Sequence, residues 1–230
     1  MLVDFVLRTA EQSTQDIVQP LLDAGITAVV YDGEDSALEA AIESSTLTGF
    51  AADVYADDGA YLMLLGAEGS VQTGTDFSEV SEMLRQFEGA ALASHPYDRT
   101  QGRPWGDRIY RLRGLSAVAT TTQSAAHSRD KLAQTAAKKL DINSVAGSFG
   151  NGAAVGQIAT VVDTDAPTRS ALIEALNSKE TLICRLESAD TPYTPMQEPP
   201  RPQRSSRESR DDRRGGRRDS GRQRRGPRRR

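Results

Sequence analysis

Short runs rich in β-branched and apolar residues alternate with stretches whose apolar residues recur at helical spacing, and the alternation continues from residue 2 to about residue 186. The runs predict strands at residues 2–7, 26–31, 50–55, 60–65, 90–94, 115–119, 144–146, 158–162 and 181–186. The stretches between them predict helices at residues 13–24, 35–44, 77–87, 124–140 and 168–177. In the first helix Ile17, Val18, Leu21 and Leu22 share one face, and Gly25 stands where the chain must stop. Pro20 predicts an irregularity there, because its nitrogen has no hydrogen to donate. Repeated strand-helix-strand order predicts an α/β fold with a largely parallel sheet or barrel. Asp57-Asp58-Gly59 joins two strand-like runs directly and predicts one antiparallel hairpin, since Gly tolerates the positive φ of a tight turn.

After Leu186 the pattern ends, and Pro192, Pro195, Pro199, Pro200 and Pro202 crowd a stretch that continues neither a helix nor an interior strand. Beyond it apolar side chains are almost absent, so an ordering cost of about 1–2 kcal/mol per residue has nothing to offset it. The expected organisation is a folded domain over residues 1–190, a Pro-rich linker over 191–200 and a disordered Arg-rich tail over 201–230. A length of 230 residues accords with one hydrophobic core plus an appendage.

Charge sharpens that division. The formal net charge is only −4, but residues 201–230 hold 14 arginines against four acids while the rest holds 14 Lys+Arg against 28 acids. The tail is therefore +10 and the body −14, so the two should attract different partners, and each other. Cys184 is the only cysteine, which excludes an intrachain disulfide or thiolate cluster and suits a reducing compartment. The opening Met1-Leu-Val-Asp-Phe-Val-Leu-Arg8 lacks a basic leader and places Asp4 in a short apolar run, so no signal peptide is expected. No stretch approaches the roughly 20 apolar residues of a membrane span, and a soluble, cytoplasmic protein is expected.

Several segments, taken in order over residues 1 to about 187, resemble the PHP family of polymerase and histidinol phosphatase domains. They are Asp4-Phe-Val-Leu-Arg-Thr9, Gly25-Ile-Thr-Ala-Val-Val-Tyr-Asp-Gly-Glu-Asp35, Thr48-Gly-Phe-Ala51, Ala91-Leu-Ala-Ser-His-Pro96, Gly114-Leu-Ser-Ala-Val118 and Val145-Ala-Gly-Ser-Phe-Gly-Asn-Gly152. The resemblance implies a distorted β/α barrel and a metal-dependent phosphoesterase ancestry. It also implies that the metal ligands are mostly gone. Val6 and Arg8 stand at the two histidine positions of the first motif, Gly33 and Glu34 at an Asp-His pair, and Ala51 at a bridging carboxylate. Leu115-Ser-Ala-Val lacks the glutamate of the next strand, and Phe149 and Asn151 replace the final Asp and His. His95 alone is retained, so no confident catalytic residue, metal or cofactor is expected, because one histidine cannot hold a catalytic cation.

His95 carries two open readings, a turn histidine hydrogen-bonded before Pro96 or a ligand contact. Asp32, Glu34, Asp35 and Asp53 are candidates for an altered metal site around it, against the simpler reading of carboxylates flanking strands. His127, near a polar helix start, reads as exposed. Between Tyr97 and Arg113, Arg99, Arg103, Arg108, Arg111 and Arg113 interleave with Tyr97, Trp105 and Tyr110. Guanidinium groups grip phosphate and aromatic faces stack on bases, so this loop is a candidate phosphate contact; the alternative is that its arginines pair with the acidic body.

The tail gives the strongest functional signal. Arg204, Arg207, Arg210, Arg213, Arg214, Arg217, Arg218, Arg222, Arg224, Arg225, Arg228, Arg229 and Arg230 occur with Gly-Gly and Gly-Pro steps, the composition of disordered RGG-like segments that bind RNA. The leading expectation is a catalytically degenerate PHP-like scaffold binding nucleic acid, RNA rather than DNA, through this tail. Two alternatives are a metal-dependent phosphoesterase with an altered site and an interaction module whose tail docks an acidic protein or membrane surface.

Overall fold

The structure, a computed structural model, describes residues 1–7, 12–57, 60–66, 77–99, 103–121, 127–149, 154–164, 166–179 and 181–185. The linker and tail lie outside the described residues, as do residues 58 and 59 of the hairpin turn. Nine strands and five α-helices are described: β1 Leu2–Val6, α1 Gln15–Asp23, β2 Ala28–Asp32, α2 Ser36–Glu43, β3 Thr48–Asp57, β4 Ala60–Gly66, α3 Phe77–Gln86, β5 Gly89–Ser94, β6 Ala117–Thr121, α4 His127–Leu140, β7 Asn143–Ala146, β8 Ile158–Val162, α5 Arg169–Ser178 and β9 Thr181–Arg185. One 3₁₀ helix, Gly106–Arg111, is added between β5 and β6. No described helix is long and apolar enough to cross a membrane.

Local chemistry explains the helix ends. Ser13 and Asp16 exchange hydrogen bonds across the start of α1, with Ser13 N donating to Asp16 Oδ2 (3.1 Å) and Asp16 N to Ser13 Oγ (3.2 Å). At its other end Gly25, at φ +72°, lets its own N donate to Leu22 O and Ile26 N donate to Leu21 O. The helix runs through Pro20 without breaking. Asp35 caps α2 by accepting from Leu38 N, and Thr168 caps α5 by accepting from Ala171 N.

The strands form one sheet in the order β7-β6-β5-β4-β3-β2-β1-β8-β9. Parallel pairs join β1, β2 and β3, and again β5, β6 and β7. The expected hairpin makes β4 antiparallel to β3, and β4 is antiparallel to β5 as well. Likewise β8 is antiparallel to β1 and β9. Seven strands thus share one direction and only β4 and β8 oppose them; β4 is reached from β3 by a link of two residues, which allows only an antiparallel join. The sheet curls until β9 lies beside β7, where the Thr181 hydroxyl sits 3.1 Å from Asn143 Oδ1 and 3.2 Å from Ser144 O.

Alternation along the strands sends Val3 and Phe5, Ala28 and Val30, Phe50 and Ala52, Met63 and Leu65, Ala90 and Leu92, and Ala117 and Ala119 into one interior cluster. The opposite faces carry two outer clusters, one under α1 and α2 and one under α3, α4 and the 3₁₀ helix. Helix α5 does something else. Its Leu172, Ala175 and Leu176 join the interior cluster, and its ties run to the strand ends at one side of the barrel. Asn143 Nδ2 donates to Ala175 O (3.0 Å) and Leu176 O (2.6 Å), Asn177 Nδ2 to Gly89 O (3.1 Å) and Arg169 Nη1 to Gly66 O (3.4 Å). This helix stoppers the end where the parallel strands begin.

Buried Asn143 is the centre of that closure. Asn143→Ala is expected to lower the unfolding free energy by about 2–4 kcal/mol, because two buried hydrogen bonds to α5 are lost together with the packing of the amide, whereas Thr181→Val should cost only about 1 kcal/mol. Urea unfolding followed by circular dichroism checks this; equal stabilities for the two variants would mean that α5 is not held through Asn143.

Candidate functional site

The mouth opposite α5 gathers the positions that the resemblance marks. Val6 ends β1, Gly33 follows β2, His95 follows β5 and Phe149 follows β7, four strands that run the same way. Ala51 of β3 is in register with Tyr31, which pairs with Val6. Their chemistry is apolar. Val6 turns into the outer cluster, and Phe149, only 1% exposed, lies in the interior cluster with its ring 5.8 Å from that of Phe5 and nearly parallel to it. Arg8 and Asn151 fall outside the described residues, as does the side chain of His127.

The turn after β7 is built onto β1. Phe149 N donates to Phe5 O (2.9 Å), and Ser148 N donates to Asp4 Oδ1 (2.7 Å). Residue 147 must be glycine, since a Cβ there would stand 2.8 Å from Phe5 Cβ and 2.9 Å from Phe5 O. Phe149 itself takes φ +40°, a left-handed conformation that costs a bulky residue energy and is held by its packing and hydrogen bonds. The Ala-Gly-Ser step of this motif therefore has a structural duty that survives without any metal ligand.

His95 is 3% exposed, at φ +43°, and its Nε2 lies 2.6 Å from Phe149 O. A carbonyl only accepts, so Nε2 carries the hydrogen and is engaged with the backbone rather than turned to a cation. Burial pulls the imidazole below its ordinary pKa, which keeps it neutral. Its ring meets Phe149 edge-on at 5.5 Å. The neighbouring acids are also committed: Asp32 Oδ1 accepts from Glu34 N and Asp35 caps α2. Among the described residues no three His, Cys, Asp or Glu side chains are grouped to hold a metal ion.

Asp4 is the buried carboxyl that strand periodicity alone did not single out. It is fully buried, Oδ2 has no hydrogen-bond partner among the described residues, and burial pushes its pKa up to about 7 against the opposing hydrogen bonds from Ser148. Its signal was an acid inside an apolar run.

The segment after His95 is anchored by Trp105. That ring is 2% exposed, stacks on Tyr55 (6.3 Å) and meets Phe77 at a tilt (6.4 Å), and its Nε1 donates to Tyr61 O at 3.1 Å. Trp105 is thus a core anchor rather than a surface stacking platform. Ile109 and Leu112 are buried beside it, and Arg108 lies over its ring at 5.5 Å. Burial and a hydrogen bond to Tyr110 raise the Tyr97 pKa, keeping the phenol neutral. Arg99, Arg103, Arg111 and Arg113 are exposed, and none is paired with a carboxylate among the described residues. Buried Asp98 is taken by Arg129 instead. Around Trp105 a cleft of about 400 Å³ is lined by Tyr97, Arg99, Arg103, Pro104, Gly106 and Arg108.

No protein-family model matches the chain, and no curated protein matches it.

Two outcomes follow. A carboxyl with a raised folded pKa keeps its proton where the unfolded chain has lost it, so Asp4 contributes stability fully present below its ordinary 3.8 and lost as pH rises through about 7. The expected loss over that window is ~4 kcal/mol, from about 1.4 kcal/mol per pKa unit. Asp4→Asn should flatten the pH dependence of urea unfolding, and an undiminished slope in the variant would exclude Asp4 as its source. His95→Ala should cost about 2–3 kcal/mol by leaving Phe149 O without its donor, while oligonucleotide affinity stays unchanged; a large affinity loss in a folded variant would give His95 a ligand contact.

Proposed function

We propose that this chain is a catalytically degenerate PHP-like scaffold that binds RNA through residues 201–230. The observation that carries this is the segregation of charge, with 14 arginines in the last 30 residues against a body of −14. A segment with so few apolar side chains has no core to fold around, so its arginines serve as independent phosphate contacts rather than as a shaped surface. The mouth supports the degenerate half of the reading. Where hydrolysis would need converging ligands, Val6, Ala51 and Phe149 supply apolar packing and His95 bonds to a backbone carbonyl.

Such binding is governed by counterion release. If about six arginines engage, log affinity for a single strand should fall against log salt with a slope near −4, at roughly −0.7 per neutralised phosphate. Replacing Arg213, Arg214, Arg217, Arg218, Arg224, Arg225 and Arg228 by Gln should flatten that slope by about half. Titrating unstructured RNA against the full chain and this variant over a salt series is the test. A salt-insensitive affinity, or an affinity unaffected by the substitutions, would remove the tail from RNA binding. Bound Mn, Zn or Fe together with chelator-sensitive phosphatase activity would replace the scaffold with a phosphoesterase.

A further inference from the structure

We propose that the folded body holds a second contact for single-stranded RNA, a phosphate clamp formed by Arg99 and Arg103 at the cleft around Trp105. The ligand class rests on the RNA-binding reading above. The site itself does not depend on the tail.

Its first support is an anomaly of charge. The body carries 14 basic residues against 28 acids, yet five of the 14 fall within residues 97–113, which contain only two aspartates. One of those, Asp98, is buried and taken by Arg129 of α4, so it does not neutralise the arginines beside it. The other, Asp107, is exposed on the 3₁₀ helix and disfavours phosphate on its own side. Arginines on so acidic a body have carboxylates in abundance to pair with. Arg99 and Arg103 are nevertheless exposed and pair with none among the described residues.

The second support is pre-organisation. Trp105 is fastened through Nε1 to Tyr61 O and by stacking on Tyr55, so the chain beside Arg103 is fixed to the β3–β4 hairpin. Arg108 is occupied over the Trp105 ring and by its Nη2 contact to Pro104 O at 3.5 Å, which makes it a wall of the cleft and leaves the gripping to Arg99 and Arg103. A planar guanidinium meets a phosphate with two parallel hydrogen bonds, and anchoring the chain beside Arg103 narrows the space that its guanidinium has to search. The cleft, about 400 Å³, lies in the size range of sites for single small molecules, which suits one nucleotide unit of a flexible strand rather than a protein helix. Tyr97 offers a neutral phenol at its edge.

The test compares four full-length proteins binding a fluorescent oligouridine over a salt series: the parent, Arg99→Gln/Arg103→Gln, Arg99→Lys/Arg103→Lys and the seven-substitution tail variant. Losing two phosphate contacts should flatten the log–log slope by about 1.4 and weaken binding at low salt, and the lysine pair should restore the slope because it keeps the charge. Circular dichroism confirms that each variant is folded. If the glutamine pair leaves the slope unchanged while the tail variant loses affinity, the clamp is overturned and the tail reading stands. If the glutamine pair loses affinity and the tail variant does not, the clamp stands and the tail reading falls. If polyglutamate displaces the RNA from the tail variant as well as an equal charge of polyuridine does, the patch recognises negative charge generally and the clamp is likewise overturned.

Discussion

A nearly closed barrel of nine described strands encloses a volume that has to be filled, and each of its ends has to be stopped. Along the strands the filling is routine, with two inward side chains from most of them and large residues facing small ones. The ends need separate solutions. At the end where the parallel strands begin, α5 lies across the opening, and Asn143 uses the carbonyls of Ala175 and Leu176 in its last turns to fasten it to β7. At the mouth, Phe149 on Phe5 completes the interior while the turn that carries it bonds to the end of β1. The left-handed φ values of His95 and Phe149 lie where the two segments lock together.

All nine strands and all five α-helices were legible in the pattern of residues, with ends displaced by up to about three positions in the usual way of frayed termini. The periodicities that betray an element are local, and these elements are locally consistent. What the pattern could not reveal is direction and placement. An apolar run such as β8 looks the same whether it runs with or against its neighbours, so the antiparallel joins of β1, β8 and β9 were hidden. Helix α5 reads as one more crossover helix, since nothing in an apolar stripe says that it faces the inside of a barrel. The 3₁₀ helix Gly106–Arg111 was concealed because its composition, rich in arginine and aromatic residues, resembles a loop.

The candidate site was legible in the same uneven way. Residue types announced His95 and the arginines, but not which nitrogen of His95 is engaged, nor that Trp105 is turned inward. Tryptophan among arginines suggests stacking on a ligand; here the ring finds Tyr55, Phe77 and Arg108 within its own chain. Asp4 is the converse case. An acid within an apolar run was noticed only as an obstacle to a signal peptide, and it is instead a buried carboxyl whose acceptor oxygen holds Ser148 and so places the turn after β7.

Charge separates the two parts of the chain by physical role. If residues 201–230 bind a polyanion as proposed, a body of −14 on the same chain competes with it for the same arginines. Competition of this kind falls as salt screens both attractions, and it weakens the tail's grip without giving it selectivity. The proposed clamp would change the balance, because a strand touching both the tail and the clamp would gain from two sites at once. In the proposed reading, selectivity for a single strand over another polyanion has to come from the folded part, where the chain beside Arg103 is anchored through Trp105.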